Sequence, residues 1–293
     1  MPLTRPVFIT AGLWLVLGLG AGVLAQAELW APGFTAQTDA GVQAAKMNFN
    51  IFADAHRCLF AYSLPIIVVI GLPLALALEY ALPQQNRISL AIMLAICIAS
   101  AVPLMLGAHF AALNDDIFIH TALLTSIVSA TALFAVHPAR NWSGLILIVS
   151  AILPMLMYII YRRVQAHVGI DHALHDTYYD LARLHIAGVA ITLLSFSILT
   201  IWAKSRRAVL NPMITLVIAV PLLASGVALA FVQSALGLNG MPLKYADYPN
   251  AFAEGQRNAS TLSFILAAFI VIFLIRLAVA YHRRDRSTPA DAF

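Results

Sequence analysis

Charge is what this sequence has least of. Only 10% of its 293 residues are Asp, Glu, Lys or Arg, whereas 61% are hydrophobic, and the mean hydropathy is +0.87. That balance excludes a soluble globular domain and leaves an integral membrane protein. Cysteine is almost absent as well. Cys58 and Cys97 both lie inside apolar runs, so they form neither a disulfide framework nor a metal pair by spacing, and are small core residues. The net charge of +4 comes from basic residues in short loops, where membrane topology accounts for them, and nucleic acid is excluded as a partner.

What the chain has in quantity is apolar length. Runs long enough to cross about 30 Å of hydrocarbon occupy roughly 7–27, 51–78, 88–110, 117–136, 143–161, 178–203, 211–234 and 259–281. They are too long and too uniform for barrel strands, so the expectation is an all-α bundle of eight transmembrane helices forming one domain over 1–293, with membrane lipid as its surroundings. Arg5, Arg87, Arg140, Lys204, Arg206, Arg207, Arg283, Arg284 and Arg286 fall on one side, which the positive-inside rule makes cytoplasmic. Both termini are therefore expected in the cytoplasm, in an inner (cytoplasmic) membrane, although Arg162 and Arg163 run against the trend. An alternative makes the first run a secretory signal cleaved after "AQA" before Glu28, but the run is long for a signal core.

Seven of the nine histidines fall in the opposite half: His56, His109, His120, His167, His172, His175 and His185. Histidines of the loops need only solvation, and His120, near a helix end, is expected to bond a neighbouring helix. His56 and His185 differ, because each lies about six to eight residues inside a long span, roughly 10 to 12 Å deep at about 1.5 Å per residue. Two imidazoles at one depth on different helices are what axial ligation of a haem requires. Lining a proton path and binding copper are the alternatives. Around His185, the stretch "LHDTYYDLARLHIAGVA" at 174–190 brings two Asp and an Arg to the mouth of an apolar helix, where each ionisable group costs about 2.5 to 3.5 kcal/mol and so marks a site or a pair.

"LHDTYY" followed by "ARLH" resembles the tenth helix of subunit I of the haem-copper oxidases, whose pattern is HDTYYVVAHFH. "GMPLKYADYPNAF" at 240–252 is similar to that family's GMPRRYxDYPxAF loop, and "ELWAPG" at 28–33 and "NIFADAH" at 50–56 to its ELxxPG segment and second-helix histidine. "GAHFAALNDDIFIHTALLTSI" resembles the end of the family's seventh helix and the start of its eighth. The matches run in family order over most of the chain. They imply a subunit I that keeps helices one, two and seven through twelve and lacks three through six.

The departures carry as much as the matches. The two histidines of the family's HFH point about 200° apart on a helix, one toward each haem. Here the high-spin ligand's place is taken by Arg183, while His185 and His56 match the low-spin pair. Of the copper-binding double histidine only His109 remains, with Phe110 beside it, so copper is not expected. The propionate-binding Arg-Arg pair has become Leu243-Lys244, a single cation. Arg183 would then fill the vacated haem cavity with Asp180, one turn earlier, as its partner; snorkelling of Arg183 to the surface is the alternative. His175 and Asp176 match a hard-metal site, magnesium in the relatives, that borrows a carboxylate from another subunit; capping of the following helix is the other account. Gln26 stands where the family has an arginine against the formyl group of haem a, and the loss of that charge favours haem b over haem a.

The resemblance thus implies one bis-histidine haem per chain and electron transfer in a respiratory chain, with no oxygen reduction. An accessory or assembly protein associated with oxidase or other respiratory-chain subunits, and a quinol-oxidising cytochrome, are the alternatives.

Overall fold

The computed structural model describes residues 4–31, 41–81, 87–103, 115–136, 141–174, 176–205, 207–243 and 248–284. Among them the chain is helical, apart from an isolated antiparallel bridge between Thr177 and Pro242. The physical cause is general: in hydrocarbon, backbone N–H and C=O groups have no water to bond, and a helix satisfies them within one segment.

The helices are α1 (Thr4–Trp30), α2 (Gly41–Cys58), α3 (Leu72–Ala81), α4 (Arg87–Ala99), α5 (Asp115–Val136), α6 (Trp142–Gln165), the short α7 (Val168–Leu174), α8 (Tyr178–Ser205), α9 (Pro212–Leu238) and α10 (Ala253–Arg284). Among the described residues five stretches are long and apolar enough to cross a membrane: Pro6–Trp30, Trp142–Gln165, Tyr178–Lys204, Pro212–Leu238 and Asn250–Arg283. Ile66–Leu76, Ser89–Ala99 and Ile119–Ala135 are shorter apolar helices.

α2 starts ten residues before the apolar run that announced it. Residues 42–47, "VQAAKM", include good helix formers, and a polar, amphipathic turn of helix leaves no mark on a hydropathy plot. Beyond α2 the chain stays helical through two π-helical stretches, Leu59–Ser63 and Ile66–Gly71, before α3. Pro65 lies between them. It lacks an N–H and its ring crowds the carbonyl four residues back, a conflict that wider turns relieve. Ser129 Oγ of α5 donates to the Val69 carbonyl at 3.2 Å, satisfying an oxygen in the distorted region.

α8 is the axis of the bundle. Its span is 89% buried, against 17% for the spans of α1 and α10, and it packs on α5, α6 and α9. Small residues let α9 come close. A Cβ on Gly226 would lie 2.5 Å from Cγ2 of Val189, and one on Gly237 would fall onto the backbone of Tyr179. Where lipid is as apolar as the helix surface, such close approach is a main source of helix association.

The start of α8 is stitched to the loop after α9. Tyr178 N donates to the Met241 carbonyl at 3.0 Å and Leu243 N to the Asp176 carbonyl at 2.7 Å. Thr177 caps the helix, its Oγ1 accepting from Tyr179 N at 3.3 Å and donating to the Leu174 carbonyl at 2.7 Å. Gly237→Ala is predicted to lower stability by about 1 to 3 kcal/mol, because the added methyl meets backbone that no rotamer can move. Gly12→Ala, with nothing within 4 Å of the new methyl, is expected to leave the melting temperature in detergent unchanged or slightly raised.

Candidate functional site

A cavity of about 230 Å3, counted as space open to the centres of water molecules, is bounded chiefly by α1, α2, α8 and α10. Its walls are mostly apolar, with Leu19, Phe60, Leu184, Leu229, Phe264 and Ile270 among them. His56 of α2 and His185 of α8 both line it, their ring centroids 6.5 Å apart and their planes inclined at 45°. The earlier start of α2 spoils depth counted from helix ends, yet the two rings lie close together.

Each imidazole is held by the nitrogen nearer its backbone. His56 Nδ1 lies 2.8 Å from the Gly18 carbonyl oxygen, and His185 Nδ1 lies 2.8 Å from Oε1 of Gln233. Both partners accept only, so each ring carries its proton on Nδ1 and keeps the Nε2 lone pair. Among the described residues neither Nε2 makes a hydrogen bond. Fixing one ring nitrogen so that the other is free to ligate is how proteins orient metal-binding histidines.

The spacing fits a shared metal. With metal–nitrogen bonds of about 2.0 Å on each side and about 1.1 Å from nitrogen to ring centre, two imidazoles holding one ion from opposite sides would have their centroids roughly 6.2 Å apart. Among the described residues no three His, Cys, Asp or Glu side chains converge. A bare transition-metal ion would want more donors than this pair offers, whereas a porphyrin brings four nitrogens of its own. α1 supplies the remaining room: a Cβ on Gly22 would lie 2.5 Å from His56 Nδ1, and one on Gly18 would lie 2.7 Å from the Phe60 ring. Gly18, Gly22 and Gln233 were not singled out by sequence reasoning. "GLGAG" at 18–22 was the available signal for the glycines; Gln233, deep in an apolar helix, was the signal for itself.

Gln26 also lines the cavity, and its Oε1 accepts from Ser260 Oγ at 3.0 Å. That bond fixes the amide and leaves Nε2 as the group with donors to spare. Leu243 is at the cavity wall, whereas Lys244, His175, His109 and Phe110 lie outside the described residues. Asp176 is exposed with φ 59°, and the capping oxygen at the start of α8 belongs to Thr177. Across the mouth, Tyr248 donates to the Leu29 carbonyl at 2.7 Å and ties the loop before α10 to the end of α1. Burial raises the Tyr248 phenol above its ordinary pKa, and the charge of Arg257 partly offsets this.

Arg183 is not at the surface. It is 6% exposed, with Nη2 at 2.7 Å and Nε at 3.1 Å from Oδ1 of Asp180. The same oxygen accepts from Nε2 of Gln165 on α6 at 3.3 Å. Snorkelling is therefore overturned, since the guanidinium is neutralised inside the bundle. His120 meets the hydroxyl of Tyr158 on α6 at 3.3 Å, the helix-to-helix bond expected of it.

No family model matches the chain.

Two glycines separate ligand orientation from ligand space. Gly22→Val is predicted to push the His56 ring off the Gly18 carbonyl, and, if the cavity holds a haem, to cut its retention by the purified chain. Gly188 lines the same cavity with nothing within 4 Å of its Cβ position. Gly188→Leu should therefore fill the cavity, keep or raise the melting temperature, and also exclude haem; full haem content in both variants would count against this cavity.

Proposed function

We propose that this chain is a membrane cytochrome that binds one haem through His56 and His185 and passes single electrons within a respiratory chain. The observation that carries the reading is the pair of proton-fixed imidazoles 6.5 Å apart at the wall of an apolar cavity. It agrees with the resemblance to haem-copper oxidase subunit I, which assigns the same two histidines to a low-spin haem.

Held by His56 and His185, a haem would supply reversible one-electron chemistry. The chain's own residues do the rest. Gly18 and Gln233 hold the two rings by Nδ1. The aliphatic walls keep water out, and Gln26 presents an amide donor to the cavity rim. Lys244 provides the cation for a propionate, and the Arg183–Asp180 pair occupies the face of α8 that the relatives give to their second haem. On this reading the three shorter apolar helices complete the five long ones to an eight-helix bundle in the inner membrane, with both termini cytoplasmic.

Purified protein is expected to show a low-spin haem spectrum at about one haem per chain. His56→Ala and His185→Ala should each abolish it or turn it high-spin; wild-type spectra in both would end the proposal. Gln233→Leu should leave the ligand in place but weaken retention by about 10- to 100-fold, the usual effect of removing the group that orients a ligating histidine. Pyridine haemochrome analysis is expected to give haem b, and a haem a signature from a host that makes both would show that Gln26 does not select the haem.

A further inference from the structure

At the other end of α8 lies a second cavity, of about 60 Å3 open to water centres, where the starts of α6 and α9 meet the last turn of α8. Asn141, Trp142, Ser143, Thr200 and Lys204 line it together with Val209, and its lining includes no acidic residue. We propose that this pocket takes the phosphate group of an anionic membrane phospholipid.

Three features favour an anion. Asn141 is the N-cap of α6: its Oδ1 accepts from Gly144 N at 3.1 Å, which places the pocket at the positive end of a 24-residue helix. Its other amide atom, Nδ2, is a buried donor with no hydrogen-bond partner, on a residue only 7% exposed. Such a donor has a standing deficit that a ligand oxygen would remove. Lys204 adds a cation.

At the carbonyl end of α8, which would repel an anion, two of the terminal carbonyls are bonded. The Ala203 carbonyl accepts from Ala208 N at 2.8 Å and the Lys204 carbonyl from Arg207 N at 2.9 Å, with Arg207 in the left-handed conformation at φ 62°.

A lipid, rather than a free phosphate, follows from what surrounds the mouth. Val209 is 67% exposed and Met213 70%, and exposed Val217 and Val220 extend that apolar stripe along α9. On α6, exposed Trp142 stands at the rim, where an indole suits the headgroup level. A phosphate seated here would lay its acyl chains along surfaces that need covering.

The test uses the whole chain in nanodiscs of phosphatidylcholine, with and without phosphatidylglycerol, and reads the melting temperature and the lipid retained in native mass spectrometry. Asn141→Asp keeps the capping oxygen, removes Nδ2 and adds a negative charge; Lys204→Gln removes the cation. Phosphatidylglycerol is expected to stabilise and be retained by the wild type, with affinity reduced at least about tenfold in each variant. Melting in pure phosphatidylcholine should stay unchanged. Wild-type retention of phosphatidylglycerol by both variants would overturn the proposal, and so would inorganic phosphate at millimolar concentration reproducing the stabilisation, because the pocket would then serve a free anion. Haem content is recorded alongside, so loss of the lipid effect is distinguished from loss of the cytochrome site.

Discussion

The hydrogen bond from His56 Nδ1 to the Gly18 carbonyl joins α2 to α1, and much of the site depends on that join. It forms only because Gly22 leaves space for the imidazole against α1. It fixes one side of the ring beside His185 of α8, which Gln233 holds in the same way from α9. Four helices are thereby committed to one geometry. In lipid no water can substitute for either bond, so the imidazoles are pre-set before any ligand arrives.

α8 serves two faces at once. His185 looks to the cavity, while Arg183, two residues earlier and about 200° round the helix, pairs with Asp180, whose Oδ1 also accepts from Gln165 of α6. An ion pair of this kind contributes little net stability against an apolar alternative, but removing either partner would leave a buried charge. It therefore fixes which way α8 faces between α6 and the cavity. The close approach of α9 at Gly226 and Gly237 sets the depth.

The helical class and the five strongest spans were legible because apolar length is a one-dimensional signal. The two histidines were legible because an imidazole in an apolar run is costly enough to stand out. The start of α2 was not, since "VQAAKM" forms a helix without being hydrophobic. The π-helical stretches around Pro65 were also hidden: a proline announces a distortion but not the width of the turn that absorbs it. Gly18 and Gly22 could be read as flexibility or packing, and only the neighbouring ring shows which. Gln233 escaped because its role exists only when α9 lies beside α8, a tertiary fact.

The cavity's electrostatics give the direction in which the protein would tune an iron held there. His56 and His185 face the cavity with imidazoles, and the charged side chains among the lining residues are Asp54 and Arg57, one of each sign. The walls otherwise offer aliphatic and aromatic carbon, which stabilises charge poorly. Ferric porphyrin carries one more positive charge at its centre than ferrous porphyrin, so a haem bound here would have its oxidised form disfavoured and its reduction potential raised relative to a water-exposed one. A propionate-bound cation at Lys244 would act in the same sense by drawing negative charge away from the iron. With Lys244 the one cation in the sequence "GMPLKY", the apolar wall would be the main device by which the fold tunes such an iron.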